Sequence, residues 1–513
     1  MLARCSSAAL LGLDALTVSV EVDLGPGLPA LQMVGLAGTS VQEARERVRS
    51  ALRHSGFRVP LGRVVVNLAP ADLRKEGPGF DLPVALGLLI ATGQLPPQAL
   101  DGVWSSGELS LDGRLRPVRG ALAVALRARA EGARALLVPQ ANAAEAALVE
   151  GLRVWGVEHL EEAVRLLREP PRVSTAAQAG AAVSAAMYGG PDLADVHGQL
   201  HGRRALEIAA AGGHHLLLVG PPGSGKTMLA RCLGGLLPPL SREQALDLTR
   251  IHSVAGLLEP GAGLVGERPF RSPHHSCSGA ALIGGGAIPR PGELALAHHG
   301  VLFLDELSEF RSGVLDLLRQ PLEEGEIWIH RCRQRSRFPC AITLVGASNP
   351  CACGWYGDPE RECRCSEGER RRYWGRLSGP LLDRIDLQVV MRRPQAAALA
   401  APYRGGGRSA PDTSAAVAER VAAAHRRMAH RNPGGIGNAR LSGAALQQVL
   451  GLEPEALELW ERALGQRRLT ARAGGRLLRV ARTISDLDDQ PGVGAAAVAE
   501  ALTYRSFDSL ELR

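Results

Sequence analysis

Lysine is almost missing from this chain of 513 residues: Lys75 and Lys226 are the only two, and arginine carries nearly all of the basic charge. Aromatic residues are also scarce, at 4%. The background runs to Ala, Gly and Arg, so an Ala-rich stretch carries little information. No segment reaches the ~18 to 20 uninterrupted apolar residues of a membrane span, which argues against a membrane partner. Nor does the start read as a secretory leader: Arg4 precedes an apolar run, but Asp14 interrupts it and "TVSVEVDL" alternates as a strand does. The expected location is therefore cytoplasmic, where structural disulfides are rare. A net charge of +7 is mild for this length. It fits a polyanionic partner without requiring one.

The length suggests three or four domains, each able to bury a core. Residues 1–168 alternate strand-like runs ("VSVEVDL", "RVVVNLA", "RALLVPQ") with helical ones, which predicts a compact α/β domain. Residues 169–191, rich in Pro, Ser, Ala and Gly without a strong period, read as a linker. An α/β pattern resumes over 192–395. A loop at 396–414 then precedes a mostly helical segment, 415–513.

"HLLLVGPPGSGKTMLARCL" is the most informative stretch. A buried apolar strand leads into Gly220, Pro221, Pro222, Gly223, Ser224, Gly225, Lys226 and Thr227, which match G-x-x-x-x-G-K-[ST], and an amphipathic helix follows. Glycines let backbone N–H groups wrap phosphates, and the helix N-terminus favours their charge. Lys226 is placed to reach the β- and γ-phosphates of ATP, and the Thr227 hydroxyl to ligate Mg²⁺. "HGVLFLDELSEF" supplies a second strand with Asp305 and Glu306 at its C-terminal end, where open α/β sheets place ligands. Asp305 suits the Mg²⁺ shell, and Glu306 can orient and deprotonate water. A third strand, "AITLVGASN", ends in Asn349. Its amide either holds the attacking water or simply starts an Asn-Pro turn.

Directly after Asn349, Cys351, Cys353, Cys363 and Cys365 form C-x-C…C-x-C within a turn-rich loop, 351–365. Four thiolates in that spacing can gather tetrahedrally around a structural Zn²⁺. An unmetallated loop and a redox pair are the alternatives. The adjacent histidines His274/His275 and His298/His299 read as packing or phosphate-proximal residues rather than ligands, since consecutive helical residues face different ways.

The stretches "GERPFRSPHHSCSGAALIGGGAIPRPGELALAHHGVLFLDELSEF", "SGPLLDRIDLQV", "GLPALQMVGLAGTSVQEARERVRSAL" and "TARAGGRLLRVARTISDL" resemble the magnesium-chelatase-like AAA+ proteins, in particular the bacterial ComM/YifB family. The resemblance covers essentially the whole chain. It implies a P-loop AAA+ α/β core followed by a C-terminal helical lid. Arg384 in "LLDRID" corresponds to the arginine finger that enters a neighbour's nucleotide site, which implies a homo-oligomeric ring, a hexamer. Arg472 in "TARAGG" corresponds to the sensor-2 arginine. Read without the family, both are ordinary surface arginines. "LIGGGAIPRPGELAL" corresponds to the helix-2 insertion. "EIWIHRCRQRSRFP" reads as a second hairpin, which by the resemblance lines the pore with that insertion; Arg331, Arg333, Arg335 and Arg337 alternate in it, so a strand there would show several on one face, a stripe suited to DNA phosphates. A charged edge strand is the equal alternative.

"KEGPGFDLPVALGLL" and "SSGELSLDGRLRPVRGALAVAL" resemble the Lon-protease (S5-like) domain. The serine position of that fold falls at Gly79 and the lysine position at Leu122, so neither nucleophile nor base remains. As a whole the resemblance implies an ATP-driven helicase or branch-migration motor acting on single-stranded or branched DNA during natural transformation or recombination. A chelatase-type motor subunit and an ATP-driven, chaperone-like assembly factor are the competing readings.

Overall fold

The computed structural model describes residues 2–171, 173, 189–286, 289–331, 334–395, 412–467 and 469–505, with only the backbone at 331 and 334. Most of the expected linker at 169–191 and of the expected loop at 396–414 lies outside the described residues.

The N-terminal unit is built on a seven-stranded sheet. Edge to edge its strands are Ala30–Val34, Arg63–Ala69, Asp14–Gly25, Leu2–Leu11, Val103–Ser105, Ala135–Pro139 and Arg153–Val157. Residues Leu2–Leu11 and Asp14–Gly25 form an antiparallel hairpin paired from Leu2↔Asp23 to Leu11↔Asp14. Alternation puts Val18, Val20 and Val22 fully inside, as a half-buried strand requires. The helix Asp81–Ala91 is buried along its whole length. Leu122 is fully buried in a cluster with Trp104, Val124 and Leu136.

The second unit carries a five-stranded, all-parallel sheet in the order Phe270–Arg271, Val301–Leu304, Thr343–Ser348, Leu216–Val219, Leu387–Val390. The last four are buried almost throughout. Helices cover both faces of a parallel sheet, so its strands read as unbroken apolar runs.

Helices Ser414–Arg431, Gly443–Val449, Pro454–Gln466, Ala471–Leu487 and Ala495–Thr503 follow among the described residues. They share one apolar core with the parallel sheet: Leu477, Ala481 and Ile484 pack in the same cluster as Leu206, Leu218 and Val389. A buried polar chain reinforces this joint. His214 bonds Asp386 (3.2 Å) and Thr483 (2.8 Å), Asn438 donates to Thr483 (3.1 Å) and Asp486 (2.8 Å), and Arg482 pairs with Asp486 at 2.7 Å. The N-terminal unit is bonded to the parallel-sheet unit by Gly120 N–H to Ser253 O (3.1 Å), Gly261 N–H to Ala141 O (2.9 Å) and Arg250 Nε to Leu13 O (3.0 Å). No helix among the described residues is long and apolar enough to cross a membrane.

Candidate active site

The phosphate loop leaves the C-terminal end of the central strand Leu216–Val219 and runs into the helix Lys226–Leu236. Gly223 (φ 78°) and Gly225 (φ 86°) are left-handed with open space where a Cβ would stand, so conformation rather than crowding calls for glycine there. Lys226 Nζ donates to Gly220 O (2.6 Å), Pro221 O (3.0 Å) and Asn349 Oδ1 (3.2 Å). The ammonium is thus folded onto its own loop and onto the end of the strand Thr343–Ser348. Burial brings Lys226 down to about 8, against the opposing pull of Asp305.

Thr227 Oγ1 donates to Asp305 Oδ2 at 2.9 Å. Two cis oxygens on an octahedral Mg²⁺ with bonds of ~2.05 Å stand ~2.9 Å apart, so the pair fits that ion. Glu306 follows in a left-handed conformation (φ 50°) unusual for a residue with a side chain. Its Oε2 lies 3.2 Å from His275 Nδ1. Lys226, Thr227, Asp305, Glu306 and Asn349 therefore gather at one end of the sheet.

Arg384 and Arg472 are at the other end. Both pair with Glu323: Arg384 through Nη2, and Arg472 Nη2 to Glu323 Oε1 at 2.5 Å. Arg384 also donates to Pro380 O at 2.8 Å. Burial pulls the Glu323 carboxyl up, but the Arg384 hydrogen bond and the charges of Arg384, Arg472 and Arg476 hold it below the usual range. Beside this cluster opens a cavity of about 680 Å³ whose lining includes His215, Cys340, Asp386, Arg440 and Arg476. His215, Ile342 and Asp386 immediately precede three parallel strands, whereas the phosphate loop, Glu306 and Asn349 follow strand ends. The arginine cluster is thus separated from its own phosphate loop by the length of the sheet.

The four cysteines converge, with every Sγ within 4.8 Å of the others. Cys351 to Cys353 is 3.3 Å, and Cys351 and Cys353 each stand 3.6 Å from Cys363. These spacings are far beyond a disulfide bond. They lie close to the ~3.8 Å between sulfurs on a tetrahedral zinc with Zn–S of ~2.3 Å. Burial raises the Cys353 thiol, but the backbone N–H groups of Trp355 and Arg364 aim at its sulfur and bring it down to about 6. The loop touches the phosphate loop: a Cβ on Gly354 (φ 83°) would come within 2.9 Å of Pro222 Cδ.

The arginine-rich segment is a hairpin, Glu326–Arg331 against Gln334–Pro339. Its register, though, corrects the expected stripe on one face. The pairing Arg331↔Gln334 puts Arg331 in the register of Ile327 and Ile329, opposite to that of Arg335 and Arg337. Arg333 lies outside the described residues. The alternation of arginines in sequence runs from one strand of the pair to the other, so the period of two does not carry over.

His275, expected to pack or to lie near phosphate, stands beside Glu306; the sequence pointed to neither Glu323, beneath both arginines, nor Gln199. Gln199 (φ 52°) donates from Nε2 to the phosphate-loop carbonyl Ser224 O at 3.0 Å. Glu323 and Gln199 act across long sequence separations, and no local motif announces them. Asp247, His298 and His299 also cluster. His298 Nδ1, however, accepts the Ala341 N–H at 2.9 Å. The ring proton of a neutral His298 then sits on Nε2, leaving no free lone pair for a metal.

Three family models match the chain: "Subunit ChlI of Mg-chelatase" over residues 20–142, "Magnesium chelatase, subunit ChlI" over 192–399, and its C-terminal model over 411–505. Among curated relatives, the protein YifB of Escherichia coli (strain K12) is 44% identical over 502 residues, covering 98% of this chain and 96% of its own. The competence protein ComM of Haemophilus influenzae is 42% identical over 511 residues, 98% of this chain and 97% of its own. The magnesium-chelatase 38 kDa subunit of Cereibacter sphaeroides is 28% identical over 195 residues, 35% of this chain and 52% of its own.

Proposed function

Since this chain belongs to the ComM/YifB family of magnesium-chelatase-like AAA+ ATPases, we propose that it is an ATP-driven ring motor that moves single-stranded or branched DNA, integrating incoming strands during natural transformation or recombination. The observation that carries the ring is the placement of Arg384 and Arg472 at the end of the sheet away from their own phosphate loop. There they can serve only a triphosphate presented by another copy, as an arginine finger does. A hexamer is the expected closure.

When ATP binds, Lys226 exchanges its loop carbonyls for phosphate oxygens and the backbone N–H groups at the start of the helix Lys226–Leu236 cradle the phosphates. Thr227 and Asp305 would hold Mg²⁺, which supplies charge neutralisation at the β- and γ-phosphates. Glu306 takes the proton of the attacking water, and Asn349 orients that water beside the γ-phosphate. His275 must release or share the Glu306 carboxylate for this to occur, so the segment around residue 275 gates the base. The neighbour's Arg384 and Arg472, freed from Glu323, face the charge that develops in the transition state.

Cys351, Cys353, Cys363 and Cys365 would hold a structural zinc that stiffens the loop seated on Pro222. We read the N-terminal unit as a Lon-like fold turned to assembly, because Gly79 offers no nucleophile and Leu122, fully buried, no base. The chelatase subunit reading is weaker, since that likeness covers 35% of the chain. The purified protein tests the proposal: ATP turnover should rise with protein concentration and again on adding forked DNA, and Lys226→Ala should abolish both. Turnover that is independent of protein concentration would overturn the ring.

A further inference from the structure

The hairpin Glu326–Arg331/Gln334–Pro339 has two unlike faces. Ile327, Ile329, Ser336 and Phe338 are buried. Ser336 and Phe338 rest against the first turn of the N-terminal unit, where a Cβ on Gly12 would come within 2.9 Å of Ser336 Cβ. The register puts Trp328 opposite Arg337 and His330 opposite Arg335 on the other face. There His330, Arg335 and Arg337 are exposed and Trp328 is half-buried.

This outer face is ordered by its own contacts. The Arg335 guanidinium stacks 3.7 Å from the centre of the Trp328 ring. Trp328 Nε1 donates to Glu326 Oε1 at 2.6 Å, and Arg337 pairs with the other oxygen of the same carboxylate. The indole is held in one orientation by its Nε1 hydrogen bond, with the Arg335 guanidinium carbon over its face where a flat ring could lie. In a chain with 4% aromatics, an indole placed among exposed arginines on a face outside the core needs a reason other than packing.

We propose that Trp328 is a base-stacking platform for a single DNA strand, with Arg335 the guanidinium that a nucleobase displaces. The freed Arg335 and the neighbouring Arg337 then meet the phosphates on either side of that base. The occupant must be single-stranded, because a base buried in a duplex offers no free face to an indole, whereas aromatic and arginine planes stack on any unpaired base. The contacts with the first turn of the N-terminal unit make this platform rigid, so the base meets a fixed surface. The inference rests on the DNA-motor reading and names the strand contact within it.

The test uses the full chain with a non-hydrolysable ATP analogue and fluorescent oligonucleotides. Three ligands of equal length are compared: oligo-dT, an abasic strand and a duplex. Trp328→Ala is expected to lose on the order of tenfold in affinity for oligo-dT, the scale of one lost stacking contact. It should be unchanged on the abasic strand and show the same salt dependence as the parent. Trp328→Phe, which keeps a flat ring, should retain most of the affinity and guards against a folding defect in the alanine variant. Arg337→Ala should reduce the salt slope by about 0.7 on every single strand, the value of one phosphate contact. If Trp328→Ala binds oligo-dT as the parent does, or weakens the abasic strand or the duplex equally, the platform is wrong while the DNA motor stands. If the parent binds none of the three ligands, both readings fall.

Discussion

A mixing experiment gives the trans placement of the arginines a number. The strand Leu216–Val219 has four residues, so the two ends of the sheet are about 13 Å apart. Arg384 and Arg472, paired with Glu323 at the N-terminal end, cannot reach a γ-phosphate held by Lys226 at the C-terminal end of the same chain. Glu306→Gln leaves the arginines intact and removes the base, while Arg384→Ala does the reverse. Each variant alone should fall to about 10⁻³ of parental turnover or below, the scale of a lost base or arginine finger. In rings formed from an equal mixture, a working site needs Glu306 from one copy and Arg384 from its neighbour. Random assembly joins the two intact halves at about one interface in four, whatever the ring size. Turnover should therefore recover to about a quarter of the parental rate, read by phosphate release after the variants are mixed and reassembled. Differently tagged copies that co-purify, yet show no recovery, would refute the argument and return both arginines to their own site.

Three other outcomes follow from individual groups. Burial holds free Lys226 at about 8, and a bound phosphate favours its charged form. Affinity for ATP should thus be level from about pH 7 to 8 and fall by up to about tenfold per unit above that, in a titration with a fluorescent analogue. Lys226→Arg should bind without that fall, and a level parental profile to pH 9.5 would contradict the assignment. Asp386, buried between His214 and Arg476, is held well below the usual carboxylate range, its burial outweighed by the His214 hydrogen bond and by those neighbouring charges. It therefore contributes stability above about pH 4 that is lost as the pH falls, and Asp386→Asn should cost about 3–5 kcal/mol in denaturant unfolding. Protein from zinc-replete culture should release about one zinc per chain when its thiols are modified, and Cys363→Ser should lower both zinc content and melting temperature. Metal-free protein with a full melting temperature would remove zinc from the account.

What the sequence discloses depends on how local each feature is. The strand, glycine loop and helix around Lys226 are contiguous, and Val301–Leu304 ending in Asp305 and Glu306 is nearly as compact, so spacing alone picks these residues out as candidates. The cysteines converge because a short turned loop leaves them little else to do. The arginine stripe misleads for the same reason: alternation puts residues on one face only within one strand, and Arg331 belongs to one strand of the hairpin while Arg335 and Arg337 belong to the other. Glu323 and Gln199 are silent in sequence because their partners are remote, and only the parallel order of the strands tells which residues share an end of the sheet. That order also separates Arg472 from Lys226, which motif matching leaves undetermined.

Strand movement coupled to ATP hydrolysis distinguishes a DNA motor from an ATPase with another client. The parent and Glu306→Gln would be followed on a forked substrate and on a three-way junction carrying a labelled strand, with plain duplex as control. The parent should displace the labelled strand from both branched substrates only with ATP and Mg²⁺, branched DNA should accelerate hydrolysis, and Glu306→Gln should bind ATP but move nothing. Rapid hydrolysis unaffected by any DNA, with every strand left in place, would contradict the DNA motor and turn attention to a protein client.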